Sequence, residues 1–280
     1  MPVRIEQQRV PVGDCHLNVR SAGSGPSVLL LHGFPDSGAM WSEVTPLLVA
    51  AGYRVLAPDL RGCGDSDAPV GRRHYALDRI VADLAAVLDH MSPGERIRVV
   101  GHDWGAVAAW CLALALPERV CANVVDSVGH PREYALAGLE QKRKGLYTIG
   151  WQFPGLAEAW LSRRDFSGLR RWARQHPRLD DCVRSMSRPG RLTAGLNWYR
   201  ANLAAVMLGS WPSCSVPTLG IWSSGDNFLA EDQMARSKRR MNAPWEYVRI
   251  DDAGHWLPLE QPECVAELAI DWFRRHEARP

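Results

Sequence analysis

Long hydrophobic runs are missing from this 280-residue chain. The longest apolar stretch, 106–117, falls far short of the roughly 20 residues that cross a bilayer, so no membrane span is expected. The opening residues, Met1-Pro2-Val3-Arg4-Ile5-Glu6, lack the apolar centre of a secretory signal. Charge of one sign is missing too. Lys and Arg number 33 against 31 Asp and Glu, a net +2, which is too weak a field to call for nucleic acid or an anionic surface. The basic clusters Arg163-Arg164, Arg170-Arg171 and Lys238-Arg239-Arg240 read as solvated helix faces. Seven cysteines, at 15, 63, 111, 121, 182, 214 and 264, form no CxxC pair. They read as reduced thiols of a cytoplasmic protein, and no Cys/His spacing suits a metal site. No phosphate-binding lysine follows a glycine-rich loop, so no cofactor is expected. Tyr (6) and Phe (5) are scarce beside 12 Trp, and large aromatics either fill cores or line pockets for apolar ligands.

What is present is an alternation of strands and helices. Residues 4–10 and 16–20 read as a hairpin turning at Val12-Gly13-Asp14. Strands are predicted over 27–31, 53–57, 96–100 and 120–125, with helices over 40–51, 75–90 and 104–116 between them. Continuously apolar strands separated by helices imply a parallel sheet covered on both faces. Residues 129–211 then carry no buried strand pattern. They are rich in Arg, Trp and Leu and are punctuated by Pro154-Gly155, Pro177 and Pro189-Gly190, which implies several helices. The alternation resumes with strands at 218–222 and 246–250 and helices at 230–241 and 262–276. The expected organisation is an α/β core over 1–128 and 213–280, interrupted by a helical insertion over 129–212.

The sharpest local feature is Gly101-His102-Asp103-Trp104-Gly105. A strand ends, two glycines bracket a polar residue and a helix begins. This is the nucleophile-elbow pattern, with Asp where Ser is usual. Two later strands end in polar segments, Ser223-Ser224-Gly225-Asp226 and Asp251-Asp252-Ala253-Gly254-His255. The order Asp103, Asp226, His255 is that of nucleophile, acid and base on such a sheet. Asp126, ending the strand after the elbow helix, is a second candidate for the acid. After the 27–31 strand comes His32-Gly33-Phe34-Pro35-Asp36, whose Phe34 N–H is expected to join that of Trp104 in an oxyanion hole. A carboxylate nucleophile attacks an sp³ carbon and forms an alkyl-enzyme ester, which His255 then hydrolyses by activating water.

These segments carry a family resemblance. HGFPD at 32–36, PDLRGCGDS at 58–66, GHDWG at 101–105, the Asp226 segment and AGHWLPLEQP at 253–262 resemble the α/β-hydrolase superfamily, and within it the soluble epoxide hydrolases. The resemblance implies a mostly parallel eight-stranded sheet with helices on both faces and a helical cap inserted after the sixth strand. Haloalkane and haloacid dehalogenases share the Asp elbow, although the Asn that many of them carry after His-Gly is absent here. In the insertion, Leu196-Asn197-Trp198-Tyr199-Arg200 is similar to the cap segment that bears an epoxide-polarising tyrosine, making Tyr199 the implied proton donor. The family places a second tyrosine directly before the aromatic at position 151. Gly150 stands there in this chain, with Tyr147 three residues earlier. The expected reaction is opening of a small to medium apolar or aromatic epoxide to a vicinal diol. The expected partners are a small-molecule substrate and water only. The expected pocket comprises His32, Phe34, Pro35, Trp104, Tyr147, Trp151, Trp198 and Trp256. A halide leaving group, held by indoles such as those of Trp104 and Trp151, is one alternative chemistry, and another α/β-hydrolase-fold reaction in a biosynthetic or detoxification pathway is a second. A non-catalytic ligand receptor is the alternative of a different class.

Overall fold

The computed structural model describes residues 3–276. Eight strands form one sheet: β1 (Glu6–Pro11), β2 (His16–Ala22), β3 (Ser27–Leu31), β4 (Arg54–Pro58), β5 (Ile97–His102), β6 (Val120–Asp126), β7 (Thr218–Ser223) and β8 (Trp245–Ile250). Their order across the sheet is β1-β2-β4-β3-β5-β6-β7-β8. The β1–β2 hairpin and the β2–β4 pair are antiparallel, and every other pairing is parallel. The sequence pattern explains the placement. β3, β5, β6 and β7 are buried at every position, as strands covered on both faces must be, whereas β1 at the edge is largely exposed.

Helices α1 (Val44–Ala50), α2 (Leu77–Met91), α3 (Trp104–Ala115), α10 (Glu231–Ala235), α11 (Leu257–Glu260) and α12 (Pro262–Arg275) accompany the strands. Two apolar layers result, one on each face of the sheet. Leu84, Val87 and Leu88 of α2 and Trp110 of α3 pack on one face, and Val44 and Leu48 of α1 pack with Trp272 and Phe273 of α12 on the other. α3 is apolar almost all round because it is buried almost all round. Two predicted helices are shorter than their patterns suggested. The 40–51 segment is a 3₁₀ turn over Gly38–Ser42 followed by α1, and 230–241 is α10 followed by a 3₁₀ turn over Arg236–Arg240.

Between β6 and β7 the chain makes six helices: α4 (Pro131–Ala135), α5 (Leu139–Lys144), α6 (Tyr147–Gly150), α7 (Leu156–Trp172), α8 (Leu179–Met186) and α9 (Arg191–Leu208). α7 leaves helical geometry at 163–166, where Arg164, Asp165 and Phe166 all have positive φ. This helical cap is tied to the core by buried polar contacts. The Trp198 indole of α9 donates to the Arg61 carbonyl at 3.0 Å. Asn202, one turn on, accepts from the Leu77 N–H at 2.9 Å and donates to the Tyr75 carbonyl at 2.8 Å. Among the described residues no helix is long and apolar enough to cross a membrane. The seven cysteines are all free, and all but Cys264 are buried.

Candidate active site

Asp103 sits between β5 and α3 with φ 53° and ψ −122°, a backbone conformation that L-residues adopt only when their surroundings enforce it. The enforcing packing is close. A Cβ on Gly105 would collide with the Leu31 carbonyl, and one on Gly33 would collide with the Asp103 carboxylate. Only glycine lets these two turns approach each other, and their approach puts the Phe34 N–H 2.9 Å from Asp103 Oδ1. The Trp104 N–H stands close enough to the same carboxylate to act on its ionisation. Burial pushes the Asp103 carboxyl above its ordinary range. The neighbouring His255 and these two amides pull it back down.

His255 follows β8. Its Nδ1 lies 2.8 Å from Asp226 Oδ2, and its Nε2 lies 3.9 Å from Asp103 Oδ2, a gap that one water can bridge. Burial alone would lower the imidazole, but Asp226 and Asp103 outweigh it and lift His255 to about 9. Burial raises Asp226 as well. There the His255 charge and hydrogen bond, together with the Phe228 and Leu229 N–H groups at 2.7 and 2.9 Å from Oδ1, hold the carboxyl below its usual value. Asp126 behaves differently. It is fully buried, neither carboxylate oxygen has a hydrogen-bond partner, and burial drives its carboxyl well upward. It does not meet the His255 ring, so the acid at hydrogen-bond distance from the base is Asp226.

Two further histidines hold the turns. Leu60 N–H donates to His32 Nε2 at 2.9 Å, which leaves Nδ1–H to donate to the Gly33 carbonyl at 2.8 Å. Burial keeps His102 neutral, lowering it to about 3, and its Nε2 lies 2.8 Å from the His255 carbonyl.

Above Asp103 stand two phenols from the cap. Tyr199 packs edge-on to Trp104, Trp151 and Phe34, with ring centroids 5.1, 4.7 and 5.8 Å away. Its Oη is buried and forms no hydrogen bond. The Tyr147 hydroxyl and the Trp104 indole stand beside it, outside bonding geometry but near enough to act on its ionisation. Burial first, and then the Asp103 charge among others, raises both Tyr147 and Tyr199 well above the ordinary phenol value, so both remain donors. Tyr147 and Gly150 are three residues apart on α6, one helical turn. The second phenol therefore comes from the turn before the position the resemblance pointed to, while Gly150 faces open space.

A cavity opens on Asp103 and is lined by Trp104, Tyr147 and Tyr199. Val107, Val128, Tyr134, Leu203, Val206 and Phe228 also line it and had not been singled out in the sequence. Leu203 and Val206 share the α9 face of Tyr199 at helical spacing, which is a signal that was available. The other expected pocket residues lie elsewhere. His32, Phe34 and Trp198 face a small adjoining cavity. Pro35 faces a separate cleft with Arg178 and Cys182. Trp151 stands behind the tyrosines, and Trp256 is fully buried against His255 and Phe228.

Among the described residues one group has metal-ligand composition: Asp36, His176 and Cys182, all buried. Arg178 N–H donates to His176 Nδ1 at 2.9 Å. That places the ring proton on Nε2, which donates to Asp36 at 3.0 Å. A metal at Nε2 would need the opposite tautomer. The cluster is a hydrogen-bonded tie between cap and core.

A protein-family model described as the alpha/beta hydrolase fold matches residues 26–262. Epoxide hydrolase A of Mycobacterium tuberculosis is 32% identical over 98% of both chains. The chain belongs to the epoxide hydrolase family of α/β-hydrolases. AB hydrolase superfamily protein YfhM of Bacillus subtilis is 34% identical over 96% of this chain and 98% of its own length. The crystal structure of epoxide hydrolase A from Mycobacterium thermoresistibile superposes with a TM-score of 0.81 at 30% identity, covering 99% of this chain and all of that one. As a member of this family, the protein is a hydrolase.

Proposed function

We propose that Asp103, His255, Asp226 and Tyr199 divide the work of epoxide hydrolysis, with Tyr147 as a second phenol on the ring oxygen. The protein opens an epoxide to a diol through a covalent Asp ester. Asp103 Oδ2 attacks an epoxide carbon. The breaking C–O bond sends its electron pair to the ring oxygen, which takes the Tyr199 proton. A water then attacks the ester carbonyl carbon, giving its proton to His255 Nε2. The tetrahedral oxyanion lies where Phe34 and Trp104 N–H point. Collapse breaks the bond between the Asp103 carbonyl carbon and the alkyl oxygen, and the leaving diol takes the proton from His255. Asp103 emerges as a carboxylic acid, and its proton restores the phenol. The apolar, aromatic lining favours a small to medium apolar or aromatic epoxide as substrate.

The observation that carries this reading over dehalogenation is the pair of protonated phenols above the nucleophile. An alkoxide needs a proton, and a halide does not. Single turnover in ¹⁸O-water tests it. The first diol should carry oxygen from Asp103 and not from solvent, and diol oxygen drawn wholly from solvent on that turnover would exclude the ester. His255→Gln, exposed to styrene oxide, should accumulate the adduct on the peptide containing Asp103.

A further inference from the structure

The segment that carries the acid, 226–230, is held by the cap and not by the core sheet alone. Two side chains of the short helix α5 reach it. Lys144 Nζ donates to the carbonyls of Asp226 and Leu229 at 2.7 and 3.0 Å, and Glu140 forms an ion pair with it at 3.2 Å. Gln141 is buried, donates to the Phe228 carbonyl at 3.0 Å and accepts from the Ala230 N–H at 2.8 Å. Four backbone groups of five consecutive residues thus end on Lys144 and Gln141. The two N–H groups that fix Asp226 Oδ1 belong to Phe228 and Leu229 in that same segment. The Phe228 ring in turn packs 4.9 Å from the His255 ring.

We infer that Lys144 and Gln141 are positioning residues for the acid–base pair, so that seating of α5 on the core sets the Asp226–His255 geometry. The chain of contacts is continuous: α5 side chains to the 226–230 carbonyls, their neighbouring N–H groups to Asp226, and Asp226 to His255 Nδ1. Neither residue touches the substrate cavity's nucleophile or phenols. Their effect therefore falls on the half-reaction that needs a base, ester hydrolysis, and not on the one that needs none, alkylation of Asp103. Misplacing a catalytic group by a fraction of an ångström to one ångström costs about 10- to 100-fold in rate.

This inference rests on the division of roles proposed above, and the experiment separates the two. Rapid-quench mass analysis with styrene oxide measures ester formation and ester decay in the wild type, His255→Gln, Lys144→Met and Gln141→Met. Both α5 variants should slow ester decay about 10- to 100-fold while ester formation at saturating substrate stays at the wild-type rate. Lys144→Arg retains donors for both carbonyls and should recover most of the decay rate. Equal slowing of formation and decay would show a loosened cap and overturn the inference, as would unchanged decay in both folded variants. Gln141→Met provides the test if Lys144→Met does not fold. Absence of ester in His255→Gln would instead overturn the mechanism on which the inference stands.

Discussion

The two halves of the site are fixed by different means. Asp103, His255 and Asp226 stand at the ends of β5, β8 and β7, and each is held by main-chain hydrogen bonds or by another member of the set. Tyr147 and Tyr199 stand on cap helices and are held by ring contacts with Trp104, Trp151, Trp172 and Phe34. The Tyr199 hydroxyl has no hydrogen-bond partner. The difference suits the chemistry. In the proposed mechanism the triad keeps its geometry through two covalent steps, and main-chain donors do not rotate. The phenols, in the same mechanism, meet an oxygen whose position varies with the substrate, and aromatic packing tolerates small shifts at little cost.

Removing one member from each half breaks the comparison most directly. Asp103→Asn should abolish alkylation, lowering turnover by at least about 10⁴-fold, the scale of losing a nucleophile. Steady-state hydrolysis of styrene oxide measures it, and the cavity should still bind an inert diol. The cap half should fail more gradually. Tyr199→Phe or Tyr147→Phe alone should slow ester formation by about 10-fold, because the other phenol remains, while the double variant should lose about 10²- to 10⁴-fold, the general-acid range. Rapid quench separates the outcomes. If one single variant already loses as much as the double, one tyrosine carries the proton unaided.

The smallest effect concerns pH. In the free enzyme His255 is lifted to about 9, in part by the Asp103 charge. Alkylation removes that charge, so His255 in the ester titrates below 9. Only the neutral imidazole accepts the proton of water. Ester decay should therefore rise with pH up to this lower value and level off above it. Single-turnover decay measured across pH checks the sign, and a midpoint at or above 9 would mean that Asp103 contributes nothing to the shift.

The core half was legible residue by residue. A Gly-bracketed Asp between a strand and a helix, a His-Gly-Phe after an apolar strand, and Asp226 and His255 after later strands are local patterns, because the turns that make them are local. Asp126 was an open alternative, and it took the fold to show that its side chain lies buried without a partner while Asp226 reaches the ring. The cap half was legible only in outline. Trp151, Trp198 and Trp256 carry the composition of a pocket, yet the structure uses them as backing and as ties. Tyr147 replaces the expected position 150 because one turn of α6 shifts the phenol by three residues. Phe228 and Leu229 stand two and three residues after the acid and line the cavity, but no periodic signal marks them.

Sequence alone determined the alternation of strands and helices, the sheet's parallel character, the place of the insertion and the candidates for nucleophile and base. Those depend on apolar periodicity and on turns a few residues long. Tertiary structure alone decided which acid pairs with His255, which phenols overhang Asp103, and that Lys144 and Gln141 brace the acid's loop. These depend on side chains far apart in the chain, from 29 positions for Asp226 and His255 to more than 80 for the Lys144–Asp226 and Gln141–Phe228 pairs that meet between cap and core. No spacing rule in the chain encodes the angle at which that interface closes.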